Sequence, residues 1–217
     1  MGESRRFPKC MSTYSFEEIQ AMADEAHRAF TIIASHVQSK DAIITTIKAG
    51  VDTIEHGHEF DEECAKLALD KGTIWCPTLA IGIKRPGYPD WTNEQREYLN
   101  RGMFNSVRIG HERGVKIASA SDFSGGDSLG GLPLGRNALD LERLVEAGFS
   151  PMEAIVAATK TASEAMMMQD KTGTLETGKF ADVVLVEGNL LSDITMLQDE
   201  KRIRIVLKGG EIAIRRS

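Results

Sequence analysis

Cysteine is scarce in this chain: three in 217 residues, Cys10, Cys64 and Cys76. Their odd number and wide spacing, with no Cys-x-x-Cys pair, exclude a disulfide framework and a cysteine-based metal site. Free thiols of this kind fit a reducing compartment, so a cytoplasmic location is expected. A block of basic residues is also missing, and the net charge is −6. That excludes the clustered Lys and Arg of a nucleic-acid surface. No apolar run approaches the roughly 20 residues a membrane span needs. Met1–Cys10 carries charge and Pro but no apolar h-region, so no secretory signal is expected. No Gly-x-Gly-x-x-Gly fingerprint follows a strand, which ranks a dinucleotide-binding domain last.

What is present is an ordinary globular composition, 41% hydrophobic and 27% charged. The length suits one sizeable domain, or one plus a small appendage. After an irregular lead-in over 1–14, Ser15 opens a helix running to about Ala29, with Glu18 as its capping-box partner. Thr31–His36 is a β-rich run ending in His36, and Lys40–Ala49 reads as helix before Gly50. Val51–His56 is the next strand and also ends in His. Asp61 caps a helix to Lys71 before Gly72, and Thr73–Leu79 is a third strand. Gly82–Asp90 is a loop, Thr92 starts a long helix to Arg113, and Gly114 precedes the strand Val115–Asp122. The glycines at 50, 72 and 114 suit the left-handed position that ends a helix, and Phe30 stands where a fourth would fit. Alternating helices and short buried strands predict parallel βα units. Asn137–Ala147 then reads as helix, followed by a second helix from Ser150 to Met168 with a break near Thr161. Asp182–Val186, Ile203–Leu207 and Ile212–Ile214 are short strands, the last two split by Gly209-Gly210.

Three strand ends carry His36, His56 and Asp122. Parallel strands converge at their C-terminal ends on one face, where enzymes of this class place their chemistry. His, His and Asp together there suit a hydrolytic zinc or manganese site. Singly, either His reads more simply as a satisfied loop-end residue, and Asp122 as a turn former; the coincidence at successive strand ends favours the metal. His58, two residues beyond His56, is an accessory candidate or a solvated loop residue. His27 and His111 fall inside helices beside charged residues and are expected at the surface. Asp52 and Glu55 are either supporting partners of the site or satisfied polar residues of the sheet. The Gly-rich stretch Ser124–Gly131 lacks the Gly-Lys-Ser/Thr ending of a phosphate loop and reads as an active-site loop. Met152 and Met166–Met168 are expected to fill gaps in the core. Trp75, Tyr88 and Arg136 read as packing or solvent residues before ligand contacts.

Several stretches together resemble the amidohydrolase superfamily: Ile-Ile-Ala-Ser-His-Val-Gln-Ser at 32–39, Ala-Gly-Val-Asp-Thr-Ile-Glu-His-Gly at 49–57, and Ala-Ser-Asp at 120–122. The tail agrees, with Ser-Pro-Met-Glu-Ala-Ile-Val-Ala-Ala-Thr from Ser150 and Gly-Thr-Leu-Glu-Thr-Gly-Lys-Phe-Ala-Asp-Val-Val-Leu-Val from Gly173. The nearest subgroup is that of imidazolonepropionase-like and Xaa-Pro dipeptidase-like (prolidase) hydrolases. The resemblance implies an α/β fold: the C-terminal half, strands 5 to 8, of a metal-dependent (β/α)8 barrel over 15–170, then part of a β-sandwich over 171–217. It implies that His36 and His56 bind one divalent metal, zinc by preference. It makes Asp122 a ligand of the other metal and the catalytic base.

The implied activity is hydrolysis of C–N bonds in a small-molecule or dipeptide substrate. A metal-activated hydroxide attacks the carbonyl and Asp122 shuttles its proton to the leaving nitrogen. The family's first-strand His-x-His pair and fourth-strand Lys have no counterpart before Ser15. His56-Gly57-His58 has the spacing of that pair in the surroundings of strand 6. A half barrel also exposes sheet edges. The chain is therefore a fragment, a homo-oligomer or partnered half that closes a barrel, or a non-catalytic half-barrel remnant that uses its exposed edge for assembly.

Overall fold

The computed structural model describes residues 13–82, 93–123 and 135–216. The lead-in up to residue 12, Cys10, Tyr88, Thr92 and the loop Ser124–Gly131 lie outside them. The first helix, α1 (Phe16–Arg28), starts at the expected capping box. The Ser15 amide donates to Glu18 Oε2 at 2.8 Å, and the Glu18 amide donates to Ser15 Oγ at 3.3 Å. One face of α1 buries Ile19 against Ala49 and Val51.

Three parallel strands follow in the order β1 (Ala34–Val37), β2 (Thr53–His56), β3 (Ile74–Cys76). Helices α2 (Lys40–Lys48) and α3 (Glu62–Lys71) form the crossovers. The Asp61 carboxylate caps α3 by accepting from the amides of Glu63 and Cys64, as the sequence predicts. The register sets Ser35 beside Ile54 and Ile54 beside Trp75, and an isolated parallel bridge sets Trp75 beside Ile117. This row faces the helices and is fully buried, its apolar members packed with Ile43, Ile47, Cys64, Ala65 and Ala68. The next row, on the opposite face, aligns His36, Glu55 and Cys76. Alternation along a strand thus gives one face to the core and the other to the site.

Three strand predictions are corrected in detail. β1 begins at Ala34 and continues one residue past His36. The third strand stops at Cys76, because Thr78 adopts φ +55 and Leu79 already opens a short helix, α4 (Leu79–Gly82). The stretch Val115–Asp122 makes no regular ladder. It joins β3 through the Trp75 amide donating to the Lys116 carbonyl and the Ala118 amide donating to the Trp75 carbonyl, both at 2.9 Å. Between them runs α5 (Asn93–Glu112).

Helix α6 (Leu139–Glu146) is shorter at its start than expected. The following helix is interrupted as predicted: α7 (Pro151–Val156), a π-turn over Ala157–Thr161, then α8 (Ala162–Ala165). Met152, Met166 and Met167 are 51%, 67% and 55% exposed, so these methionines do not fill the core. The tail forms one antiparallel sheet, β4 (Val183–Val186), β5 (Ile203–Lys208) and β6 (Glu211–Arg215). Its hairpin turns at Gly209 and Gly210, φ +60 and +87, the paired left-handed conformation of a type I′ turn. Among the described residues no second sheet covers it, so a complete sandwich is not present.

Two expectations follow from local chemistry. Phe30, 90% exposed, sits at φ +55 in the position where glycine was missing from the pattern. The left-handed conformation costs a side chain about 1–2 kcal/mol, and glycine returns roughly 0.5–1 kcal/mol of that as chain entropy. Phe30→Gly should therefore stabilise the fold by about 0.5–1 kcal/mol in urea denaturation. Glu153 is held down to about 2, from 4.5, chiefly by hydrogen bonds from Ser150 and then by His111. A lowered carboxylate contributes stability above its ordinary range and loses it as pH falls. Wild type should lose its advantage over Glu153→Gln between pH about 4.5 and 2, read by thermal melts across that range.

Candidate metal and active site

His36 and His56 come together at the C-terminal ends of adjacent strands. Their ring centroids are 4.5 Å apart and the rings meet edge to face, at 74°. The contact is not what simple alternation dictates. His36 shares a row with Glu55, whereas His56 pairs with Val37 on the helix-facing parity. A left-handed backbone at His56, φ +72, lets its side chain depart from that parity. Two bonds hold this conformation. The indole Nε1 of Trp75 donates to the His56 carbonyl at 2.9 Å, and His56 Nδ1 lies 2.7 Å from Thr78 Oγ1. Thr78 is itself left-handed, as is Asp122 at φ +50. Three of the five non-glycine residues with positive φ among the described residues thus stand at strand ends around this site. Strained backbone collects where the surrounding structure fixes a functional geometry.

Asp122 is exposed, and it is close enough to Glu55 to raise the Glu55 pKa. Burial is the larger cause of that rise, opposed by bonds from Thr53 and Cys76. Glu55 is therefore the acidic residue of β2 that belongs to the site. Asp52 belongs elsewhere: its carboxylate accepts from the Ile33 amide and meets His27 Nε2, each at 2.9 Å, at the start of the strand. His58 is farther off, its ring centroid 6.2 Å from that of His56, and its carbonyl accepts from Ser106 Oγ. His27 is exposed as expected. His111 is not a plain surface residue, because it stacks on Phe149 at 3.9 Å and bonds Glu153.

Among the described residues no three His, Cys, Asp or Glu side chains draw close enough to hold a metal ion. The structure unites His36 with His56, and sets Asp122 near Glu55. It does not gather His36, His56 and Asp122 into one chelating cluster. Two further residues make contacts at the candidate site that the sequence does not announce. Thr78 was placed in a strand, and its left-handed turn has no glycine or asparagine to announce it. Asp140 was read only as part of an amphipathic helix, where an early Asp signals a helix start. It is instead fully buried. Burial pushes its carboxyl up to about 6, against bonds from Ser119, Ala80, Ala120 and Leu79.

Comparison with known proteins matches residues 8–213 to the amidohydrolase family. The chain belongs to the amidohydrolase family. It is 32% identical over 206 residues to ochratoxinase of Aspergillus niger, covering 92% of this chain and 41% of that protein. The solved A. niger ochratoxinase superposes with a TM-score of 0.81 at 31% identity, over 93% of this chain and 46% of that one. A prolidase complexed with N-methylphosphonate-L-proline gives 0.82 at 31% identity, over 94% and 50%. A Xaa-Pro dipeptidase with methionine in its active site gives 0.79 at 29% identity, over 92% and 48%. This amidohydrolase chain thus spans about half the length, or less, of the relatives it matches. Its described helices include none long and apolar enough to cross a membrane.

The two described cysteines of this amidohydrolase chain are packing residues. Cys64 and Cys76 are buried, and burial pushes the Cys64 thiol up to about 12 and the Cys76 thiol higher still. Thiols so protonated make poor nucleophiles. A thiol-specific chromogenic reagent should leave both unmodified in the native protein and titrate them only in denaturant.

Proposed function

We propose that this chain is the C-terminal half of a metal-dependent amidohydrolase barrel, β1 to β3 and the Val115–Asp122 stretch serving as strands 5 to 8. Residues 15–170 then make the barrel part and 171–217 part of the β domain. The observation that carries this reading is the edge-to-face meeting of His36 and His56 at adjacent parallel strand ends. Two imidazoles supply half of a tetrahedral zinc shell, and this donor set suits zinc. With Nδ1 of His56 engaged by Thr78, coordination would use its Nε2. Asp122 and, as an accessory, His58 are the further donors this chain offers. A divalent metal, when bound, supplies the positive charge that makes water nucleophilic near neutral pH and polarises the scissile carbonyl.

The chain's own residues do the rest. Asp122, exposed at the mouth, accepts the proton of the attacking water on a carboxylate oxygen and delivers it to the departing nitrogen. Glu55 shares the sheet face of His36, and its pKa is raised chiefly by burial, with Asp122 adding to the rise. The substrate class is an amide or dipeptide, consistent with the prolidase and ochratoxinase relatives.

The test is zinc content and peptidase activity of the purified chain. Stoichiometric zinc is expected, with affinity reduced at least about 10-fold in His36→Ala. Hydrolysis of Xaa-Pro dipeptides should fall at least about 100-fold in Asp122→Asn. A folded, metal-free oligomer without hydrolysis would instead establish a non-catalytic half barrel that uses its sheet edge for assembly.

A further inference from the structure

Asp140 has no exposed surface, yet it is a carboxylate in the first turn of α6. Its two oxygens face in different directions. Oδ1 accepts the Ala80 amide at 3.1 Å, at the start of α4 and two residues beyond Thr78. Oδ2 accepts the Ser119 hydroxyl at 2.7 Å and the Ala120 amide at 3.1 Å, two residues before Asp122. One buried side chain therefore bridges two separate strand ends. The first carries the hydroxyl that meets His56, and the second carries Asp122. Both ends hold left-handed residues, Thr78 and Asp122, which need outside support to persist. An outer partner that orients a ligand side chain in this way commonly governs metal affinity.

We propose that Asp140 is a positioning residue of this site, setting His56 through Thr78 and Asp122 through Ser119 and Ala120. The inference rests on the reading of His56 and Asp122 as site residues. The chemistry of the contacts dictates a carboxylate. Each oxygen accepts a backbone N–H, so an amide in either orientation turns its NH2 toward the N–H of Ala80 or of Ala120 and breaks one side of the bridge. Asp140→Asn is thus the closest replacement in shape that the geometry does not tolerate.

The experiment reads the histidine ring nitrogens by 15N NMR, without metal, in wild type, Asp140→Asn and Thr78→Val. Thr78→Val defines the His56 signal without its partner. In Asp140→Asn the His56 signals should move toward those of Thr78→Val, while His27, held by Asp52 at the opposite end of the sheet, keeps its wild-type signals. Unchanged His56 signals, or equal movement of His27, would overturn the proposal. Should Asp140→Asn not fold, Ser119→Ala serves. It removes one bond only and should shift the Asp122 amide and carboxyl signals, and an unaltered Asp122 overturns the proposal. Zinc titration adds a second readout, with affinity expected to fall about 10–100-fold in Asp140→Asn and wild-type affinity overturning it. If the wild-type chain takes up no zinc, the metal reading fails while the NMR comparison still decides the role of Asp140.

Discussion

The structure depends on the way Trp75 is clamped. Its ring stacks on Phe60 at 4.0 Å and is almost fully buried in the main core. A Cβ added at Gly57 would come within 2.7 Å of its Nε1, and one at Gly110 within 2.9 Å of its Cζ3. Both neighbours must be glycine for the indole to occupy this space. Trp75 also ties its strand to both neighbours: its backbone bonds the Val115–Asp122 stretch, and its indole Nε1 bonds the His56 carbonyl. One residue thus couples core packing and the orientation of a site histidine through its side chain, and the fourth parallel stretch through its backbone. A buried indole N–H needs an acceptor, and here that need is met by the residue whose backbone must be held out of its usual conformation.

From that clamp the site is built outward in layers. The parallel register brings the strand ends together. Left-handed backbone at His56, Thr78 and Asp122 turns side chains away from where strict alternation would send them. Thr78 then engages Nδ1 of His56, and Asp140 ties the backbone beyond Thr78 to the backbone before Asp122. Strain at the mouth is tolerated because a dense, well-packed layer of Ile43, Ile47, Ile54 and Ala65 lies beneath it. The opposite face of the sheet is less complete. Ala34, at the start of β1 and on the same face as His36, is exposed.

Much of this was legible in the chain itself. The capping boxes at Ser15–Glu18 and Ser150–Glu153 and the cap at Asp61 form as their chemistry requires. So do the left-handed glycines that end helices, because these are local bonds between residues five or fewer apart. That His36 and His56 stand at successive strand ends was also legible, but the meeting of their rings was not, because the register pairs His36 with Glu55 and His56 turns out of its parity through a left-handed backbone. The methionines at 152, 166 and 167 misled, because apolar character alone does not say which helix faces are covered. His111 misled in the opposite direction: flanking charges suggested solvent, while Phe149 lies against its ring.

The sequence by itself determined the order of helices and parallel strands, the family, and the residue types delivered to the strand ends. Those follow from periodicity, capping and turn chemistry, which act over a few residues. Only the tertiary structure decided that Thr78 leaves the strand to meet His56, and that Glu55 rather than Asp52 belongs to the site. It also decided that a helical Asp140 is a buried bridge rather than a solvated cap. Each of these depends on groups 19 or more residues apart in the chain, brought together by packing around Trp75.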